Sequence, residues 1–179
     1  MKFRPLFATA VGLLVTAPAV AADFELAGMK SKVPEGWKEE EPSSKMRQAQ
    51  FRLPKAEGDK DDAELAVFFF AGKGTSGSAE QNLKRQVDKF EPAEGEKEVK
   101  SKVEKIKIGE YEASYQEVSG TYKKRPFPMS SQFKPLPDYR QLYVIFSTDR
   151  GDHYMTLLGP AKTVGQHKKE FDEFLKNFK

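Results

Sequence analysis

Cysteine is absent from the 179-residue chain. That excludes disulfides, thiol nucleophiles, cysteine-bound metal centres and the lipid-bearing cysteine of a bacterial lipoprotein. Only two histidines occur, His153 and His167, and a single tryptophan, Trp37. Beyond residue 22 nothing approaches the ~18 consecutive apolar residues of a transmembrane helix. Charge of one sign is also lacking. Thirty lysines and arginines face 27 acids, which describes a mixed, well-solvated surface and argues against a nucleic-acid partner.

What is present begins with an export signal. Lys2 and Arg4 form a positive n-region, and Leu6 to Val15 is uncharged and mostly apolar. Ala19-Val20-Ala21, or Val20-Ala21-Ala22 one step on, supplies the small residues of a cleavage site. The chain therefore divides into a signal peptide, 1–22, and one domain, 23–179. Loss of the leader lowers the formal charge from +3 to +1 and leaves 157 residues, enough for a single disulfide-free core. A cysteine-free exported domain points to a bacterial protein, periplasmic or extracellular once processed.

Hydrophobic periodicity then predicts about seven strands and two helices. Pro34 and Gly36 mark a turn, with Trp37 anchoring the chain beyond it. Met46 to Leu53 alternates as a half-buried strand, Lys55 to Glu64 is a hairpin loop, and Leu65–Phe70 (LAVFFF) reads as a central strand buried on both faces. Ser78 and Gln81 form a capping-box pattern ahead of a helix carrying Ala79, Leu83, Val87 and Phe90 at helical spacing, stopped by Pro92. Lys97 to Tyr122 reads as two strands joined at Gly109-Glu110, with a bulge near Glu104 where the apolar phase slips. Lys123 to Asp138 is Pro-rich and irregular. Leu142 to Phe146 and His153 to Leu158 make a hairpin across Asp149–Asp152. The C-terminal helix carries Phe171, Phe174, Leu175 and Phe178 on one stripe, with His167 on its solvated face. Neighbours joined by hairpins imply an α+β fold, a mostly antiparallel sheet with two helices packed on it.

Motifs with chemical meaning are weak. Gly72-x-Gly74-x-x-Gly77 matches a dinucleotide fingerprint and joins a strand to a helix. The acid expected about 20 residues on falls in a polar helix exit with no strand before it, so a flexible loop is the better reading. Asp59, Asp61 and Asp62 open like a calcium loop but fail at Glu64, where glycine is needed, and at Phe70, where a bidentate Glu is needed. Asp149, Asp152 and His153 form a weak cation cluster on a turn. No serine sits in a G-x-S-x-G elbow, and Ser119-Gly120 comes nearest. These residues imply no catalytic centre, cofactor or metal.

One stretch suggests a partner. Lys123, Lys124, Arg125, Lys134 and Arg140 against Asp138 leave a local charge of +4, interleaved with Phe127, Met129, Phe133, Leu136 and Tyr139. Lys123, Lys124, Arg125, Phe127, Phe133, Lys134, Tyr139 and Arg140 are the candidate partner-binding residues. Cations and aromatics on a proline-stiffened loop suit an anionic polymer, a headgroup or an envelope protein's edge.

Val33-Pro34-Glu35-Gly36-Trp37, Phe51-Arg52-Leu53-Pro54, the LAVFFF strand, Val118-Ser119-Gly120-Thr121-Tyr122 and Leu158-Gly159-Pro160 ahead of a Phe-rich helix are structural punctuation spread over most of the mature chain. On them the chain resembles uncharacterised exported bacterial proteins related to the PsbP-like superfamily. That superfamily shares its fold with extrinsic subunits of the photosynthetic oxygen-evolving complex and with a Ran-binding nuclear import factor. The resemblance implies an antiparallel sheet sandwiched between helices and a role in binding or scaffolding. The expected function is thus an exported, non-catalytic binding or scaffold domain. The alternatives are a hydrolase with an unrecognised site and a carrier of a small apolar ligand.

Overall fold

The computed structural model describes residues 22–179 apart from 73, 75, 76 and 128. The signal segment expected over 1–22 lies, Ala22 excepted, outside the described residues. Ten strands and two helices follow. A two-stranded hairpin, β1 (Asp23–Leu26) and β2 (Met29–Lys32), precedes β3 (Lys38–Glu40), β4 (Arg47–Leu53), β5 (Ala63–Ala71), helix α1 (Ala79–Val87) and β6 (Phe90–Glu91). Then come β7 (Lys100–Ile108), β8 (Tyr111–Lys124), β9 (Lys134–Thr148), β10 (Gly151–Pro160) and helix α2 (Ala161–Lys176). The main sheet runs β3-β4-β5-β10-β9-β8, and β6 and β7 both pair with the outer edge of β8. Every strand pairing is antiparallel. The fold is α+β, with two helices on an eight-stranded sheet, slightly larger than the strand pattern predicts.

The two faces of the sheet are unequal. Leu142, Val144 and Phe146 of β9, with Met155 and Leu157 of β10 and Leu65 and Val67 of β5, point to the α2 side and join a single large buried cluster. Helix α2 contributes Val164, Phe171, Phe174 and Leu175, continued by Phe178, as the apolar stripe predicts. Trp37 packs 5.5 Å from Phe174, and Phe174 packs 5.0 Å from Phe178. Each such ring contributes roughly 1.5–3 kcal/mol by burial. The β1–β2 hairpin closes this side, with backbone bonds between Lys30 and Lys179 and a Ser31 hydroxyl donating to the Phe174 carbonyl (2.7 Å).

The opposite face holds only Tyr143, Ile145 and Tyr154 as its buried cluster. Helix α1 covers it in part. Its capping box forms as read from Ser78 and Gln81, both bonds being 3.1 Å. The buried residues of α1, however, are Asn82 and Gln86, and Leu83 and Val87 are only half-buried. Gln86 accepts from Gln141 of β9 (3.2 Å) and from Lys89 (2.6 Å), so a polar seam joins α1 to the sheet. Phe90 leaves the helix and pairs with Tyr122 as β6. Because α1 is nine residues long and lies over β8 and β9, the end of β5 is left half-open. LAVFFF is an interior strand buried on both faces only at Leu65–Val67: Phe68 and Phe70 are half-buried on the α1 side, and Phe69, on the α2 side beside His153, is 37% exposed.

Three further expectations change. The β7–β8 register runs from Lys100↔Ser119 to Ile108↔Tyr111 without a break, so no bulge exists near Glu104. The first six residues of β7 are exposed, and Val103 therefore carries no facing signal. The bulges lie instead between Arg47 and Ala49 and between Gly120 and Tyr122. His167 is buried and not solvated: Nε2 lies 2.8 Å from the Pro54 carbonyl and Nδ1 2.9 Å from Glu170. Finally, the irregular part of Lys123 to Asp138 is confined to 125–133, because β8 and β9 extend into the segment from both ends and pair as far as Lys124↔Lys134. Pro135 and Pro137 are tolerated because β10 ends opposite Tyr139, which makes β9 an edge beyond that point.

Candidate partner-binding surface

The long β8–β9 hairpin positions most of the predicted partner residues. Lys123 and Lys124 end β8, Lys134 opens β9, and Arg125 to Phe133 form the turn between them. The turn is internally tied. Ser130 N donates to the Phe127 carbonyl (3.0 Å), the Ser130 hydroxyl donates to the Gln132 carbonyl (2.9 Å), and Arg125 donates to the Ser130 carbonyl. Phe127 and Met129 stand out at 60% and 91% exposure, while Phe133 sits under the Lys123 ammonium, 5.9 Å from its ring centre. Among the described residues, Lys123, Lys124, Arg125 and Lys134 make no salt bridge.

Two predicted residues stand apart from that tip. Tyr139 stacks on Tyr122 (6.1 Å, 14°) and donates to Asp61 (3.0 Å), at the base of the hairpin. Burial and the Asp61 carboxylate push its phenol up to about 12. Arg140 belongs to the α2 side, near Gly165, where Glu117 pairs with it at 3.4 Å. Its alternation with Tyr139 along β9 puts it on the opposite face of the sheet. The charge of Arg140 is thus spent locally.

The structure adds a groove of about 860 Å³ that sequence reasoning missed. Lys124 and Arg125 from the hairpin, Arg47 and Arg52 from β4, and Lys55 and Lys60 from the next loop line it, against Asp61, Asp62 and Glu64. The bulge after Arg47 brings its guanidinium over Phe68 (5.8 Å) and onto Glu64 (2.8 Å). Arg52 is held by Glu40, whose carboxyl the hydrogen bond from Arg52 draws below the usual range. The alternation of Arg52 with Phe51 along β4 was the available signal. The bulge and the meeting of β4 with a distant hairpin had none.

The other candidates resolve into structure. Asp59 caps α2 through Thr163, Asp61 takes the Tyr139 hydroxyl, and Asp62 accepts from Lys55 N (2.9 Å). Gly72, Gly74 and Gly77 adopt φ of 89°, 74° and 89°, conformations that glycine enters freely, which accounts for the spacing of the fingerprint match. Asp152 is engaged by the Ser147 hydroxyl (2.6 Å) and Gly74 N (3.0 Å). His153 lies between Phe69 (4.7 Å) and Phe146 (4.9 Å), and burial holds its imidazole below the ordinary value despite the opposing pull of Asp152. Among the described residues no group of three or more His, Asp or Glu side chains is placed to hold a metal. No described helix is long and apolar enough to cross a membrane. On the α1 side, Phe68, Phe70, Tyr143 and Tyr154 line an open groove of about 610 Å³ rimmed by Arg85 and Lys89.

No family model and no curated protein matches the chain. Cyanobacterial PsbP (CyanoP) from Synechocystis sp. PCC 6803 aligns over 96% of this chain and 97% of its own, with a TM-score of 0.52 and 14% identity. The chain has a PsbP-like fold. A Pseudomonas aeruginosa protein of unknown function aligns over 86% of this chain and 92% of its own, at 13% identity and a TM-score of 0.48. The PsbP-like fold accounts for a sheet with helices on both faces. It assigns no role to the hairpin tip or to the groove, since at 14% identity the likeness is one of fold alone.

Proposed function

We propose that the chain is an exported, non-catalytic binding domain that engages an anionic partner through the tip of the β8–β9 hairpin. One observation carries this reading: Lys123, Lys124, Arg125 and Lys134, without salt bridges among the described residues, flank the turn that exposes Phe127, Met129 and Phe133. The arginines of β4, by contrast, are paired, Arg47 with Glu64 and Arg52 with Glu40. Export by the 1–22 leader would place this surface in the periplasm or outside the cell. An N-terminus at Ala22 or Asp23 on the recovered protein checks that step.

The test is retention on an immobilised polyanion as salt is raised. The chain from Asp23 should bind at low salt and elute as screening grows. Lys123→Ala/Lys124→Ala/Arg125→Ala should pass through, whereas removing the exposed Lys97, Lys107 and Lys176 should matter much less. Equal loss from both sets would show only bulk charge and would sink the proposal. A second reading, a carrier of a small apolar ligand, is favoured by the groove beneath α1. Thr156→Trp, which fills that groove, should abolish the emission rise of an apolar dye; an unchanged signal rejects the carrier.

A further inference from the structure

We infer that the anionic partner is the surface of a lipid bilayer, with Phe127 and Met129 entering the boundary between headgroups and acyl chains. This rests on the binding role proposed for the hairpin and adds the chemistry of what it binds. Six large apolar side chains are exposed among the described residues, and three of them, Phe127, Met129 and Phe133, lie on this one turn. The cations sit on the strand ends behind the tip: Lys123 and Lys124 on one strand, Lys134 on the other, with Arg125 beginning the turn. An apolar tip ahead of a cationic collar matches the layering of an anionic membrane, where acyl chains lie behind the charged headgroups. A soluble polyanion would use the collar and leave Phe127 and Met129 in water.

Two features suit the tip to this environment. Its backbone is partly satisfied from within, by the Ser130–Phe127 and Arg125–Ser130 bonds, which lowers the cost of withdrawing it from water. The hairpin also passes the last rungs that join it to β10, at Tyr139, and to β6, at Tyr122, so its tip lies clear of the sheet.

The experiment uses the chain from Asp23, which contains all ten strands, both helices and the entire buried core. Sedimentation is compared with vesicles of phosphatidylcholine mixed with phosphatidylglycerol, with phosphatidylcholine alone, and with polyphosphate in solution. Binding should require phosphatidylglycerol. Phe127→Ser/Met129→Ser should weaken vesicle binding roughly tenfold while leaving polyphosphate binding intact. The triple cation variant should lose on the order of a hundredfold on vesicles and lose polyphosphate as well. Unchanged thermal midpoints show that the variants fold. Polyphosphate binding without vesicle binding overturns the membrane assignment and leaves the binding surface standing. Loss of both in the parent chain overturns both. A concentration-dependent dimer abolished by Phe127→Ser/Met129→Ser makes the tip a self-association surface and overturns the membrane assignment.

Discussion

Helix α2 begins without a cap of its own. Its N-cap residue is Pro160, which offers no side-chain acceptor, and its first turn holds no acid. Asp59, more than a hundred residues earlier in the chain, fills that place. One of its carboxylate oxygens accepts from Thr163 N (2.9 Å) and from the Thr163 hydroxyl (2.6 Å), while the same hydroxyl accepts from Ala56 N (3.0 Å). Thr163 is fully buried, so water does not readily replace the lost partner. A cap contributes about 1 kcal/mol, a hydrogen bond to a charged group roughly 1.5–3, and a negative charge at a helix start about 0.3–1. These effects overlap, and Asp59→Ala should cost about 2–3 kcal/mol in total, or roughly 5–10 °C in Tm for a domain of this size. Asp59→Asn keeps an acceptor without the charge and should lose about half as much. Urea unfolding followed by Trp37 emission reads the effect directly, because that indole packs against Phe171 and Phe174 of α2. Calcium should leave the midpoint unmoved. An Asp59→Ala loss within about 0.5 kcal/mol of wild type, the range of an inert surface change, would refute the capping argument.

Two other perturbations probe separate parts of the fold. Gly159→Ala would set a methyl carbon 2.7 Å from Ala63 Cβ and 2.8 Å from its Cα, where β10 meets β5. A loss of about 1–3 kcal/mol in urea melts is expected. His153 has a folded pKa below its unfolded one because it is buried between Phe69 and Phe146. The unfolded chain therefore takes up the proton first, and stability should fall as pH drops through the unfolded value of about 6.5. His153→Phe keeps the stacking and should flatten that part of the stability profile between about pH 7.5 and 5.5. An identical slope in the variant would assign the acid lability to other groups.

The unequal faces also bear on function. Nearly all of the apolar burial lies between the sheet and α2, where Trp37, Phe51 and the α2 phenylalanines interlock. The α1 side is thin and polar at its seam, with Gln86 against Gln141. Stability is therefore concentrated on one side of the sheet. The other side and the hairpin end can present grooves and apolar tips at little cost to the core.

Features set by neighbouring residues were legible in the chain itself. The Ser78–Gln81 capping box, the Phe-rich stripe of α2, the turn at Gly109-Glu110 and the antiparallel α+β class all follow from local propensity and periodicity. So did the cationic, aromatic character of the 123–140 segment. Its conformation was not legible, because the prolines that signal irregularity are equally at home on an edge strand, and only the endpoint of β10 makes β9 an edge there. Likewise His167, placed among charges on a helical wheel, is buried because the chain after β4 lays the Pro54 carbonyl across it. The pairing of β5 with β10, the reach of Asp59 to α2 and the gathering of Arg47, Arg52, Lys124 and Arg125 around one groove join residues far apart in sequence. Periodicity says which face of an element is apolar; which other element covers that face is chosen by the packing of all of them at once.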